Sequence, residues 1–227
     1  MAWTPLESNP DVMNKLLYHL GMPDKWQIVD VYGLDSVMLA TVPRPVLAVI
    51  LLFPTSSKYY EHRQQLEEEI KGKGQKVSPG VFFMKQYVQN ACGTFALIHS
   101  VANNTDHIEL SDGALKQFLN EAKPLKPEDR GELLQKAVEI IHAHKEISQE
   151  GQTEAPDPSE NVNYHFVAFV SKDGDLYELD GSKSFPINHG PSSPDSVLDN
   201  AAKIIQDYMA LDPDNLHFTV IALTGVE

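Results

Sequence analysis

The sequence predicts an α/β fold of the α+β kind, a sheet with helices packed against it, and three observations carry that reading. Residues 46–53, Val-Leu-Ala-Val-Ile-Leu-Leu-Phe, form a near-continuous apolar run between Pro45 and Pro54, the pattern of a strand covered on both faces. From Cys92 onward, Phe95, Ala96, Leu97, Ile98, Val101 and Ala102 make a helix apolar almost all round, which belongs in the middle of a domain. Strand and helix patterns follow one another along 227 residues, 42% of them hydrophobic, with no linker dividing the chain.

Taken in order, Asn9 reads as an N-cap with Pro10 at the first helical position, and Val12, Leu16 and Leu20 give a short amphipathic helix stopped by Gly21. Residues 26–31 read as a strand, 46–53 as the buried one, and 59–71 as a polar helix followed by a Gly- and Ser-containing loop to Gly80. After the helix from Cys92, one helix starts near Ser111-Asp112. Another starts after Pro127 and runs through Leu133, Leu134, Ala137, Val138, Ile140 and Ile141. Residues 145–160 carry five acidic side chains with Gly151, Pro156 and Pro158, a composition that cannot bury itself and reads as a mobile loop. Residues 164–171 and 176–179 flank the turn Lys172-Asp173-Gly174-Asp175 as a hairpin, and 184–187 adds a short strand. Pro194 opens a last helix, and 216–223 closes the chain as an apolar strand.

Eighteen Lys and Arg against 32 Asp and Glu give a net charge of −14, which excludes nucleic acid and anionic lipid as partners and favours a basic or neutral one. A single cysteine makes no internal disulfide and fits a reducing compartment. No apolar run reaches the roughly 18 residues of a membrane span, and the start has no basic-then-apolar signal pattern. The expected locations are therefore the cytoplasm and also the nucleus.

That one cysteine, Cys92, stands where the buried helix begins, and a helix N-terminus stabilises a thiolate, the nucleophilic form. Gly93 beside it leaves room for a substrate to approach the backbone. Cysteine is also a common core filler, so the residue by itself decides nothing. A cysteine nucleophile needs a base and a group that orients it. His165 opens a strand just after the acidic loop, and Asp180 ends the next strand; with the turn near Gly174 between them, Asp180 returns to the level of His165. Gln86, six residues before Cys92, offers a side-chain amide that, with the Cys92 backbone N–H, could form an oxyanion hole. Each of these has an ordinary alternative: strand-end histidines are mostly packing residues, and Asp before Gly is commonly a turn. The chain order Gln, Cys, His, Asp matches the papain-like arrangement.

Phe83-Met84-Lys85-Gln86 and Asn90-Ala91-Cys92-Gly93-Thr94 closely resemble the active-site signature of the ubiquitin carboxyl-terminal hydrolases. Leu176-Tyr177-Glu178-Leu179-Asp180-Gly181 and Phe185-Pro186-Ile187-Asn188-His189-Gly190 look like that family's second block, and Glu150-Gly151-Gln152-Thr153-Glu154-Ala155-Pro156 like its loop. Trp3 to Pro10, Asp30-Val31-Tyr32-Gly33 and Val42-Pro43-Arg44-Pro45 extend the likeness along the chain. The resemblance implies a papain-like cysteine peptidase over residues 1–227. Its central, mostly antiparallel six-stranded sheet would carry helices on both sides, with a knotted backbone and a crossover loop at about 147–162 arching over the site. It implies Cys92 as nucleophile, His165 as base and acid, Asp180 as the residue that orients the ring, and Gln86 as oxyanion donor. It implies ubiquitin as partner, with ubiquitin-like modifiers as further candidates, touched by Pro5, Leu6, Asp30, Val162 and Leu216. Leu6 and Leu216 would make apolar contacts and Asp30 would lie near a basic tail. The implied reaction releases small or unstructured adducts from the terminal Gly of ubiquitin through a thioester, by a monomer, with no cofactor and no metal. His142-Ala143-His144 reads as cationic residues near a helix's negative end. The alternatives are a ubiquitin-holding protein with a misaligned triad and, less favoured, an acyltransferase.

Overall fold

The structure is a computed structural model that describes residues 2–160 and 162–226; Asn161, within the expected crossover loop, lies outside the described residues. Helix α1 (Pro10–His19) starts as its sequence dictates: the Asn9 side chain accepts the Asp11 N–H at 2.9 Å, and Val12, Met13, Leu16 and Leu17 are buried. Strand β1 (Trp26–Asp30) follows, then a four-residue helix α2 (Ser36–Leu39) whose cap, Asp35, accepts the Val37 and Met38 N–H groups at 3.0 and 3.1 Å. Sequence patterning missed α2, because a single turn has no periodicity to show. Next come β2 (Val46–Pro54), the polar α3 (Ser57–Lys73), the buried α4 (Cys92–Ala102) and α5 (Ala114–Ala122).

The helix expected after Pro127 is two, α6 (Pro127–Leu134) and α7 (Val138–Ile147). Lys136 and Ala137 donate to Leu133 and Leu134, three residues back, and this tightened turn takes Ala137 out of helical backbone with ψ of 77°. Beyond come β3 (Tyr164–Lys172), β4 (Asp175–Leu179), β5 (Ile187–Pro191), α8 (Val197–Leu211) and β6 (Thr219–Gly225). Strand β5 starts where the short strand was expected to end, because Ser182 and Ser184 are engaged by α3. Leu216 lies in a turn, its carbonyl accepting the Phe218 N–H at 3.0 Å, so β6 begins three residues later than the apolar pattern suggested.

Among the described residues, six strands form one sheet in the order β1-β6-β2-β3-β4-β5, and its five strand pairings are antiparallel. Side-chain alternation divides each central strand between two cores. Ala48, Ile50, Phe166, Ala168 and Val170 join α1, α4, α5 and α7 on one face, whereas Val49, Leu51, Phe53, Val167 and Phe169 join α8 and Tyr59 of α3 on the other. Helices on both faces explain why β2 reads as an unbroken apolar run. No helix among the described residues is long and apolar enough to cross a membrane.

Candidate active site

Cys92 is the first residue of α4, half-buried against the first core. Its N-cap, Ala91, provides no side-chain cap, so the first-turn N–H groups keep their positive character beside the thiol. The turn before it runs through Asn90, whose φ of 63° is left-handed, a conformation asparagine tolerates. The Asn90 amide also donates to the Pro158 carbonyl at 3.1 Å. The space expected above Gly93 is filled by the protein itself. A Cβ there would stand 3.0 Å from Leu6 Cβ and 3.3 Å from a Phe166 ring carbon, so the glycine admits the N-terminal segment and β3 onto the helix.

The ring of His165, at the start of β3, packs edge-on to Phe53 with centroids 6.0 Å apart. Its Nε2 lies 2.7 Å from Oδ1 of Asp180, just past the end of β4, as the hairpin count anticipated. With Nε2 committed, Nδ1 is the ring nitrogen left for the thiol. Burial opposes a charged ring, but the Asp180 carboxylate outweighs it and His165 is pushed up to about 10. Burial likewise opposes a charged Asp180, which the facing imidazole and Lys183 nevertheless hold well below the usual carboxylate range. Burial would push the Cys92 thiol up; a hydrogen bond from His165, that ring's charge and the Phe166 N–H bring it below its ordinary value. The site thus favours a thiolate beside an imidazolium.

Gln86 comes to this group through its backbone. Its N–H donates to the Gly181 carbonyl at 2.8 Å, and a Cβ on Gly181 would meet Gln86 Cβ at 2.9 Å, so only glycine allows the Asp180 turn to lie this close. The side chain donates from Nε2 to the Val88 carbonyl at 2.9 Å, while Oε1 is buried with no partner among the described residues.

A cavity of about 200 Å³ opens over Cys92, walled by Pro5, Leu6, Val162, Tyr164 and Phe166. Leu6 is 5% exposed, so what it offers a partner is only its cavity face. Asp30, at the end of β1, and Leu216, 85% exposed, lie outside this lining. The loop after α7 is tied across the cavity. Glu7 accepts the Gln152 and Thr153 N–H groups at 2.9 and 3.1 Å and the Thr153 hydroxyl at 2.8 Å, and Lys15 pairs with Glu150 at 2.5 Å. Burial opposes the Glu7 charge, yet these donors hold its carboxyl below the usual range. Polar composition announced the loop, but nothing in the sequence singled out Glu7 as its anchor.

His144 corrects the reading of a cationic helix end. It is buried in α7, with Nδ1 2.7 Å from the Thr94 hydroxyl and Nε2 2.8 Å from the Thr4 carbonyl, and burial lowers its pKa. Because a carbonyl only accepts, Nε2 carries the proton and the Thr94 hydroxyl donates to Nδ1. The ring therefore ties the N-terminal segment to α4.

The model of the ubiquitin carboxyl-terminal hydrolase family 1 matches residues 3–210. The chain belongs to this family of cysteine peptidases. It is 47% identical over 227 residues to a ubiquitin carboxyl-terminal hydrolase of Drosophila melanogaster, covering 100% of this chain and 99% of that one. It is 46% identical over 224 residues to isozyme L1 of the hydrolase from Rattus norvegicus, covering 98% of each. Among solved structures, the catalytic domain of Trichinella spiralis UCH37 bound to ubiquitin vinyl methyl ester superposes with a TM-score of 0.78, covering 100% of this chain and 97% of that one. At 23% identity that likeness speaks for the fold, and it is the hydrolase fold described above. Two features the family signature left unannounced are the Glu7 anchor and the Arg63 and Ser182 contacts around Asp180.

Proposed function

We propose that the chain hydrolyses small or unstructured adducts from the C-terminal Gly of ubiquitin by thiol catalysis. The observation that carries this reading is the line from Cys92 through His165 to Asp180, in which the carboxylate raises the ring and the ring lowers the thiol. In this reading the Cys92 thiolate attacks the carbonyl carbon of the terminal Gly. The oxyanion is held by the Cys92 N–H and by the Gln86 Nε2 hydrogen that Val88 does not use. The His165 imidazolium then gives its proton to the departing amine, leaving a thioester. The neutral ring takes a proton from water, whose oxygen attacks the thioester carbon, and keeps it as the C–S bond breaks; the thiolate–imidazolium pair is restored, and the ubiquitin acid leaves as its carboxylate with its proton going to solvent. Asp180 keeps its charge throughout and fixes the ring.

Residues 1–227 act in this reading as one catalytic domain. Pro5, Leu6 and Val162 guide the tail toward Cys92, while Asp30 and Leu216 meet the body of ubiquitin. The loop 147–162 admits only narrow leaving groups, since Glu7 and Asn90 hold it across the cavity. Ubiquitin-like modifiers with similar tails are further substrates, and the protein works as a monomer in cytoplasm and nucleus.

The experiment compares release of a fluorescent C-terminal amide from ubiquitin by the parent and by Cys92→Ala, with binding of free ubiquitin measured in the same preparations. Turnover lost with binding kept is the expected result. Binding without turnover in either protein would leave a ubiquitin-holding protein, a reading less supported by a thiol that His165 lowers.

A further inference from the structure

Helix α3 reads in sequence as a polar surface helix, yet three of its residues spaced by four, Tyr59, Arg63 and Glu67, form one stripe directed at the turn after β4. The Tyr59 hydroxyl donates to Asp180 Oδ2 at 3.4 Å. Arg63 donates from Nη1 to the Ser182 hydroxyl at 3.0 Å and from Nη2 to the Ser182 carbonyl. Glu67 accepts the Ser184 hydroxyl at 2.7 Å and the Arg63 Nε–H at 3.2 Å. One helix face thus grips residues 180, 182 and 184 in succession.

The middle contact bears on the chemistry. Ser182 donates to Asp180 Oδ1 twice, from its N–H at 2.9 Å and from its hydroxyl at 2.7 Å, and Oδ1 is the oxygen facing His165. The Ser182 oxygen is also 3.5 Å from His165 Nε2. Because Arg63 has only donors to give, it occupies a lone pair of that oxygen and leaves its single hydrogen to point at Asp180.

We propose that Arg63 and Ser182 are positioning residues, which act through Asp180 to hold the His165 ring in register with Cys92. The inference rests on the peptidase reading above. Groups facing Asp180 are His165 from β3, Tyr59 and Arg63 from α3, Ser182 and Lys183 from the turn, Lys85 from the segment before Gln86 and Tyr208 of α8, with Cys92 and His99 of α4 beyond the ring. Lys183 is itself paired with the buried Glu178 of β4 and with Tyr208 of α8, and His189 of β5 binds the other Glu178 oxygen at 2.8 Å. Lys85 donates to the Lys183 carbonyl, so among the described residues Arg63 is the cation that contacts Ser182.

The test uses Ser182→Ala, which removes the hydroxyl, Ser182→Thr, which retains it, and Arg63→Lys, which keeps the charge but loses the two-pronged grip. Two readouts are taken: kcat and KM on the ubiquitin amide, and the pH profile of Cys92 alkylation by iodoacetamide, which needs no ubiquitin. Ser182→Ala and Arg63→Lys are expected to lower kcat about tenfold, as small misplacements of catalytic groups do, with KM within about twofold of the parent. A loosened Asp180 supports the imidazolium less, so the rising limb of alkylation moves to higher pH. Ser182→Thr restores both readouts, and the double variant is no worse than the more damaging single one, because both act on one contact chain. Should Arg63→Lys fail to fold, the Ala and Thr pair at residue 182 decides alone. An unmoved alkylation profile in Ser182→Ala, whether or not kcat falls, would overturn the proposal. A shifted profile in a protein that never cleaves the ubiquitin amide would keep it and reject the substrate instead.

Discussion

Cys92, His165 and Asp180 sit on α4, on β3 and just past β4, and each is useful only because a neighbour without chemistry of its own brings it close. Gly93 is such a neighbour. Gly93→Ala is expected to cost about 1–3 kcal/mol, as overpacking does, because Leu6 Cβ at 3.0 Å and a Phe166 ring carbon at 3.3 Å would both have to shift. A lowered urea midpoint together with reduced turnover checks it. Gln86→Ala is expected to lower turnover about 10²- to 10³-fold with ubiquitin affinity near the parent's, as loss of one oxyanion donor does; a loss below about threefold would remove Gln86 from the mechanism. His99 gives a different signal. Buried in α4, it accepts the Met84 N–H at Nε2 and stacks on Phe83, and burial holds it down to about 3 against an ordinary 6.5. The unfolded chain therefore takes up this proton first, so the stability its neutral ring contributes is full above 6.5 and is lost as pH falls toward 3. Urea midpoints measured between about pH 7 and pH 5 should fall less steeply for His99→Gln than for the parent. At this scale the sequence showed which residues meet but not which atoms: the choice of Nε2 for Asp180, and Ser182 as its second ligand, depend on turn geometry that residue types do not encode.

Among the elements, the loop after α7 shows most directly how an anchor sets a property. Glu7 binds both backbone N–H groups of Gln152 and Thr153, and Gly151 is packed so closely that a Cβ would stand 2.6 Å from Glu7 Oε2. Lengthening the loop with Gly and Ser should allow bulkier adducts to be cleaved, and Glu7→Gln should release the existing loop, raising its cleavage by an added protease. Unchanged selectivity in the lengthened protein would point to another size filter. Elements were legible where a strong local pattern marked them: Asn9-Pro10 for α1, the apolar run for β2, the turn residues between β3 and β4. They were illegible where tertiary contacts drew the boundary. Nothing in Leu134-Gln135-Lys136-Ala137 foretells the break before α7, and the polarity of α3 makes sense only once Tyr59, Arg63 and Glu67 are seen on the Asp180 turn.

Across the whole molecule, the negative balance of −14 is expected to speed encounter with a basic partner surface. Raising salt from about 50 to 500 mM, which shortens the reach of exposed charges to a few ångströms, should lower kcat/KM on the ubiquitin amide. Alkylation of Cys92 by a neutral reagent should hold steady, which separates steering from chemistry. The sheet itself has a less obvious effect. Cys92 packs into the core on one face, whereas the ring of His165 leans on Phe53, a member of the core on the other. Turnover is therefore a ruler laid across the molecule's midline: a slight slide of one helical layer against the other changes the gap between sulfur and nitrogen. A trim deep in the far layer, such as Ile205→Val at a fully buried position, is expected to lower kcat in addition to costing about 0.5–1.5 kcal/mol of stability.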